Sequence, residues 1–150
     1  MAGLEGKAVL VTGGGTGIGT ACAAAMAADG AAVTICGRTE ATLTAAAEKI
    51  QAAAGSGGSV QIVTADVTNS EDVQKAVAFA AQPTGQLNGC VANAGGGGAL
   101  NPYHLQDDDE FARVMELNVK GTFLCLKHTL PLLVAAGGGS FVGMSSLAGH

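Results

Sequence analysis

The chain has 150 residues, enough for one domain that buries about two-thirds of its unfolded surface and short for two. Hydrophobic residues make up 48% and charged residues only 13%, which excludes a disordered, highly charged tail. Seven Lys and Arg stand against 12 Asp and Glu, a net charge of −5 with no basic cluster, so nucleic acid is not an expected partner.

Five short β-prone runs follow one another at Lys7–Thr12, Ala31–Cys36, Ser59–Thr64, Leu87–Ala92 and Ser140–Met144. They are closer to continuous apolar runs than to strict alternation, the pattern of strands covered on both faces. Helix-like segments lie between them at Ile18–Ala28, Glu40–Ala53, Ser70–Ala81 and Asp108–Ala136. Strand–helix alternation needs crossover connections, and these predict an α/β fold: a doubly wound parallel sheet with helices on both faces. No linker divides the chain, so residues 1–150 read as a single domain.

The first run leads directly into Thr12-Gly13-Gly14-Gly15-Thr16-Gly17-Ile18-Gly19, and a helix of small residues follows. Glycine there permits a sharp turn, close approach to a diphosphate, and tight seating of the helix start on the sheet. The helix N-terminus adds free N–H groups and the positive end of its dipole. Strict G-x-G-x-x-G spacing is not met, and no Lys-Ser/Thr follows the loop as a P-loop requires. A plain flexible glycine turn is the competing account.

After the second run comes Gly37-Arg38, where NAD sites place an acidic residue against the ribose hydroxyls. A guanidinium can instead bind a 2′-phosphate through paired, charge-assisted hydrogen bonds. This position favours NADP(H) over NAD(H), with a solvated surface arginine as the alternative. Thr39 is placed to cap the next helix, and Asn69 or Ser70 the one after it, with Glu71 and Asp72 on the positive end of its dipole. Gly55–Gly58 and Gly137–Gly139 punctuate the approach to strands three and five, and Pro131 should kink or end the long fourth helix.

Within that helix, Arg113, Glu116, Lys120 and Lys127 share one face. Phe111, Met115, Asn118, Thr122, Cys125 and Thr129 share the opposite, inward face. Asn118 is therefore expected to be buried and bonded, for which a structural amide facing a neighbouring strand is sufficient. Ser145-Ser146 follows the fifth strand at its carboxyl end, where open α/β sheets bind ligands, although such a pair also suits an ordinary loop or cap. The acidic run Asp107–Glu110 is read as a helix start and not as a metal site. His104, His128 and His150 lack ligand spacing and are read as surface or packing residues, and no metal is expected. Cys22, Cys36, Cys90 and Cys125 are scattered, as reduced thiols of a cytoplasmic protein would be. No secretory leader and no run of 18 apolar residues is evident.

Taken in order, Thr12-Gly13-x-x-x-Gly17-x-Gly19, Asp66-Val67, Asn93-Ala94-Gly95, Asn118-Val119-x-Gly121 and Ser145-Ser146 resemble the motifs of the short-chain dehydrogenase/reductase family. One departure is Ala92, which stands where the family usually has a first asparagine. The resemblance implies a Rossmann-type sheet of order 3-2-1-4-5 and an oxidoreductase acting on a small carbonyl or alcohol. It makes Gly13, Gly15, Thr16, Gly17, Ile18, Gly19, Arg38, Thr39, Asp66, Val67, Asn93, Ala94 and Gly95 the cofactor-binding residues. Asn118 and Ser146 become catalytic: the asparagine holds a water of the proton relay, and the serine donates to the reacting oxygen.

The family's Tyr-x-x-x-Lys pair should follow that serine, but the sole tyrosine, Tyr103, precedes Asn118 and has Asp107 four places on. The sequence stops at His150, before that pair and before the family's last two strands. It is therefore expected to be the N-terminal part of a longer enzyme, inactive alone and homo-oligomeric when completed. The rival expectation is a non-catalytic dinucleotide-binding sensor or regulatory module.

Overall fold

Five parallel strands form one sheet in the order β3-β2-β1-β4-β5 in the computed structural model, which describes residues 3–146. The strands are β1 (Ala8–Thr12), β2 (Ala32–Gly37), β3 (Ser59–Thr64), β4 (Gly89–Ala92) and β5 (Ser140–Gly143). Each lies within a residue or two of its predicted span. β1 is central and buried along its whole length, which is why its sequence is apolar without alternation.

Successive β1 residues feed opposite layers. Val9 and Val11 pack with Ala23 and Ala27 of α1 (Gly17–Ala28) and with Leu43, Ala46 and Ile50 of α2 (Glu40–Ala53). Leu10 packs on the other face with Val73, Ala76, Val77 and Ala80 of α3 (Ser70–Ala81) and with Leu124, Cys125 and Leu133 further on. Gly19, Ala23 and Ala27 fall at four-residue spacing on α1, so its inner face is made of small residues and the helix lies close on the sheet. The chain reverses its direction of winding between β1 and β4, and that point defines a crevice at the strands' carboxyl ends.

Several local expectations are met only in part. The predicted helix over 108–136 is interrupted: α4 (Asp108–Met115) passes into a π-helical turn at Glu116–Lys120 before α5 (Gly121–Ala135). The wide turn changes the helical phase, so the inward face of α5 (Leu124, Cys125, Thr129, Leu133) does not extend back to Phe111 and Met115. Those two are exposed, and Asn118 is half-buried instead of buried. Pro131 does not end the helix, which runs on to Ala135; the break lies at the π turn. Thr39 occupies the N-cap of α2, but only its backbone carbonyl is used, accepting from Thr42 and Leu43 N–H.

Asn69 is the α3 cap, its Oδ1 accepting from the N–H groups of Glu71 and Asp72 at 2.9 and 3.1 Å. Asp107 caps α4 in the same way, accepting from Glu110 N–H at 3.0 Å, so the acidic run is a helix start. Among the described residues no group of His, Cys, Asp and Glu is placed to hold a metal ion. No described helix is long and apolar enough to cross a membrane. His150 lies outside the described residues.

Candidate active site

A cleft of about 640 Å³ opens at the carboxyl edge of the sheet, over the point where the winding reverses. Four segments at the strand ends supply most of its lining: Gly13 and 15–18 of the glycine loop, the β2 end Gly37–Thr39, the β3 end Ala65–Val67, and Asn93–Gly95 after β4. Every predicted cofactor residue except Gly19 is in that lining. Gly19 lies directly beneath it, in the first turn of α1.

The glycine loop has this shape because side chains would not fit. Gly13 and Gly17 have φ of +64° and +50°. A Cβ on Gly14 would stand 2.5 Å from Cβ of Ile35, and one on Gly19 would overlap the carbonyl oxygen of Gly13. At Gly17 an added Cβ would meet nothing, so the loop's outer side is open toward the cleft. Thr16 caps α1 without a side-chain hydrogen bond, leaving the first-turn N–H groups facing that opening.

The loop is clamped to β4 from below. Thr12 Oγ1, buried at the end of β1, accepts the N–H groups of Asn93 and Ala94, both at 3.0 Å. Asn93 Nδ2 in return donates to the carbonyls of Thr12 and Gly13 at 3.0 and 3.3 Å. This reciprocal set holds two cleft walls in fixed relation. Thr12 belongs to the glycine motif but was not expected in the site; its position as the last residue of β1, one before the glycines, is the signal that could have found it.

On the far side Asp66 forms a tight turn. Its Oδ1 accepts Thr68 N–H at 2.9 Å and the Thr68 hydroxyl at 2.8 Å, while its own N–H donates to Asp72 Oδ2 at 3.1 Å. The Thr68 N–H is the main cause that holds the Asp66 carboxyl below its ordinary 3.8. Partial burial opposes it, and the Thr68 hydroxyl and the positive charge of Arg38 add to it. Arg38 is exposed at the cleft mouth. Thr42, Leu43 and Leu117 also line the cleft and were not predicted; nothing in their sequence context marks them out.

Asn118 has its partners in a loop and in its own helix, not in a strand. Its Nδ2 donates to Gly96 O at 2.8 Å and to Val114 O at 2.9 Å, and its Oδ1 accepts Gly96 N–H at 3.1 Å. The bond to Val114 O competes with the helix backbone at the π turn. Ser146 is exposed three residues beyond β5, and β5 pairs along β4, so both strands leave the sheet at the same edge. The cleft lining includes neither Asn118 nor Ser146. Beneath the floor, burial pushes the Cys36 thiol up to about 12 and Cys125 up to about 11, and raises Cys90 as well.

Comparison with known proteins agrees with this architecture. The family model described as short chain dehydrogenase matches residues 7–150. An A-factor type gamma-butyrolactone 1'-reductase (1S-forming) from Streptomyces virginiae is 36% identical over 147 residues, which cover 97% of this chain and 56% of that protein. The chain thus spans about half the length of the curated relatives it matches. A short-chain type dehydrogenase/reductase from Mycobacterium ulcerans superposes with a TM-score of 0.94 at 39% identity, over 97% of this chain and 53% of the other. An NAD+-bound xylitol dehydrogenase (TM-score 0.92, 31% identity, 98% and 55% covered) and a metagenomic short-chain oxidoreductase in complex with NADP (0.86, 30%, 98% and 64%) share the fold.

Proposed function

The chain belongs to the short-chain dehydrogenase/reductase family, and on that premise we propose that it forms the dinucleotide-binding part of a nicotinamide-dependent oxidoreductase. The proposed reaction moves hydride between a carbonyl or secondary alcohol carbon and the cofactor, with NADP(H) preferred to NAD(H). The observation that carries this reading is the convergence of four separate segments on one cleft, with backbone bare of side chains along its glycine wall. When bound, the nicotinamide supplies or accepts the hydride.

The residues fit that group from end to end. The first-turn N–H groups of α1, beside the open space at Gly17, would hold the diphosphate oxygens. Arg38 at the β2 end pairs with a 2′-phosphate where a carboxylate would repel it. Asp66 and Val67, which line the cleft, would wall the adenine, and Asn93–Gly95 would flank the nicotinamide half. Ser146 donates a hydrogen bond to the reacting oxygen and stabilises its developing charge. Asn118 fastens the loop beyond Gly95 and opens its own helix at the π turn. Tyr103, 92% exposed and outside the cleft lining, is not the proton donor in this reading.

Self-association of the whole protein belongs to the same proposal. Phe111, Met115, Val119, Phe123, Leu126, Leu130 and Val134 are exposed at three- and four-residue spacing along α4, the π turn and α5. An apolar stripe of that length suits a second copy.

The test is a fluorescence titration of the protein, as its source produces it, with NADPH and NADH, before and after Arg38→Asp. Loss of charge-assisted bonds should weaken NADPH roughly 10- to 100-fold and spare NADH. Equal loss of both would remove Arg38 from the reading. Binding of neither by the wild type would end it.

A further inference from the structure

The turn that walls the adenine side of the cleft is rigid within itself but needs anchoring to the body of the molecule. Residues 66–72 are closed internally by the Asp66–Thr68 bonds, the Asp66 N–H on Asp72, and the Asn69 cap. Such a unit moves as one body. At its start, Ala65 N–H donates to Gly37 O of β2 at 2.9 Å. α5 adds two further contacts. Val67 is buried against Gly121, where an added Cβ would stand 3.0 Å from Val67 Cγ2. Seven residues further along the same helix, His128 Nε2 lies 2.9 Å from Ser70 Oγ, at the first residue of α3. Positions 121 and 128 are two turns apart and share a side of α5. The helix therefore meets the turn at an apolar point and a polar point. The apolar contact is non-directional, whereas the hydrogen bond demands a particular distance and angle between the two elements.

We propose that His128 is a positioning residue for the adenine-side wall: through Ser70 it sets the place of the 66–70 turn over the cleft, and with it the affinity for the adenosine end of the cofactor. This rests on the dinucleotide-binding reading above. The residue acts through Ser70 and touches no ligand itself. Ser70 opens α3 three residues beyond Val67, the last cleft-lining residue of the turn, so the bond bears on the turn and not only on the helix body.

The test compares wild type, His128→Leu, His128→Gln and Ser70→Ala in the protein as its source produces it. Gln can place an amide nitrogen near the position of Nε2, whereas Leu cannot form the bond. Two readouts are taken: hydrogen exchange of the 66–72 amides without ligand, and the Kd for adenosine 2′,5′-bisphosphate, with AMP as a second probe. Loss of one hydrogen bond should speed exchange in the turn and weaken the bisphosphate roughly three- to tenfold in the Leu and Ala variants. The Gln variant should restore both. Unchanged exchange in both Leu and Ala variants overturns the tether. Faster exchange with unchanged Kd overturns the positioning role alone. If His128→Leu does not fold, Ser70→Ala decides the same points. Wild-type protein that binds neither probe overturns the functional reading itself, and the positioning role with it, while the exchange result still reports on the tether.

Discussion

Gly19→Ala separates the local from the tertiary demands on the glycine loop. Considered only as a helix position, Gly19 is unfavourable, and Ala should stabilise α1 by about 1 kcal/mol. The tertiary setting reverses that sign. The new Cβ would overlap the Gly13 carbonyl oxygen and stand 2.7 Å from Asn93 Nδ2, both inside the clamp that joins the loop to β4. Neither can yield freely, because Asn93 Nδ2 holds the Thr12 and Gly13 carbonyls and the loop's other side lies on Ile35. Overpacking of this kind costs about 1–3 kcal/mol, and a loosened Asn93 amide adds about 1 kcal/mol. The balance is a net loss of about 1–3 kcal/mol, a fall in Tm of about 2–12 °C for a chain of this size. Thermal melts and a nucleotide titration of Gly19→Ala would be set beside Gly37→Ala, where the nearest atom to an added Cβ is Leu43 Cδ2 at 3.5 Å. The control should melt within about 2 °C of wild type, since ordinary van der Waals contact costs little. A Gly19→Ala protein that melts higher than wild type and binds nucleotide unchanged would refute the argument.

Other outcomes follow from the same contacts. Asp66 titrates below 3.8 when folded, so its contribution to stability is complete above that value and is lost as pH falls through the lower folded one. Asp66→Asn should therefore be less stable than wild type in denaturant melts at neutral pH, and the two curves should converge once pH has fallen through the lowered folded value; a gap that persists in strong acid would contradict the assignment. Iodoacetamide applied to the native protein at mildly alkaline pH should label Cys22, the half-exposed thiol, and leave Cys36, Cys90 and Cys125 unmodified until denaturant is added. Mass spectrometry of the peptides reads this directly, and native labelling of Cys36 would show that the floor opens. Asn118→Ala removes three hydrogen bonds, two of them to Gly96, and should raise amide exchange at Gly96 by an order of magnitude or more, on the order of 1–2 kcal/mol. Unaltered protection would mean that something other than Asn118 holds that loop.

What the sequence determined was the part governed by local patterning. Continuous apolar runs marked the strands, because a strand covered on both faces needs apolar side chains on each; the α/β alternation then left a parallel sheet as the consistent solution. The start of α3 at Asn69 or Ser70 and the acidic start of α4 were legible, since a helix start depends on the next few residues; which oxygens cap them, Asn69 Oδ1 and Asp107 Oδ1, came from the structure. The glycine loop was visible because its residues face steric limits that only glycine meets. What the sequence could not decide was anything set by contact between distant segments. The apolar spacing from Phe111 to Thr129 satisfies one straight helix. Only in three dimensions does the Asn118 amide, bound to Gly96 and to Val114 O, accompany a π turn that rotates Phe111 and Met115 into the open. Thr12 belongs to β1 by pattern, and its place in the site arises because β4 lies beside β1 and presents two N–H groups to its hydroxyl. His128 carried no motif at all. Its contact with Ser70, 58 residues away in the chain, exists because α3 and α5 cover the same face of the sheet, a pairing that no spacing along the sequence encodes.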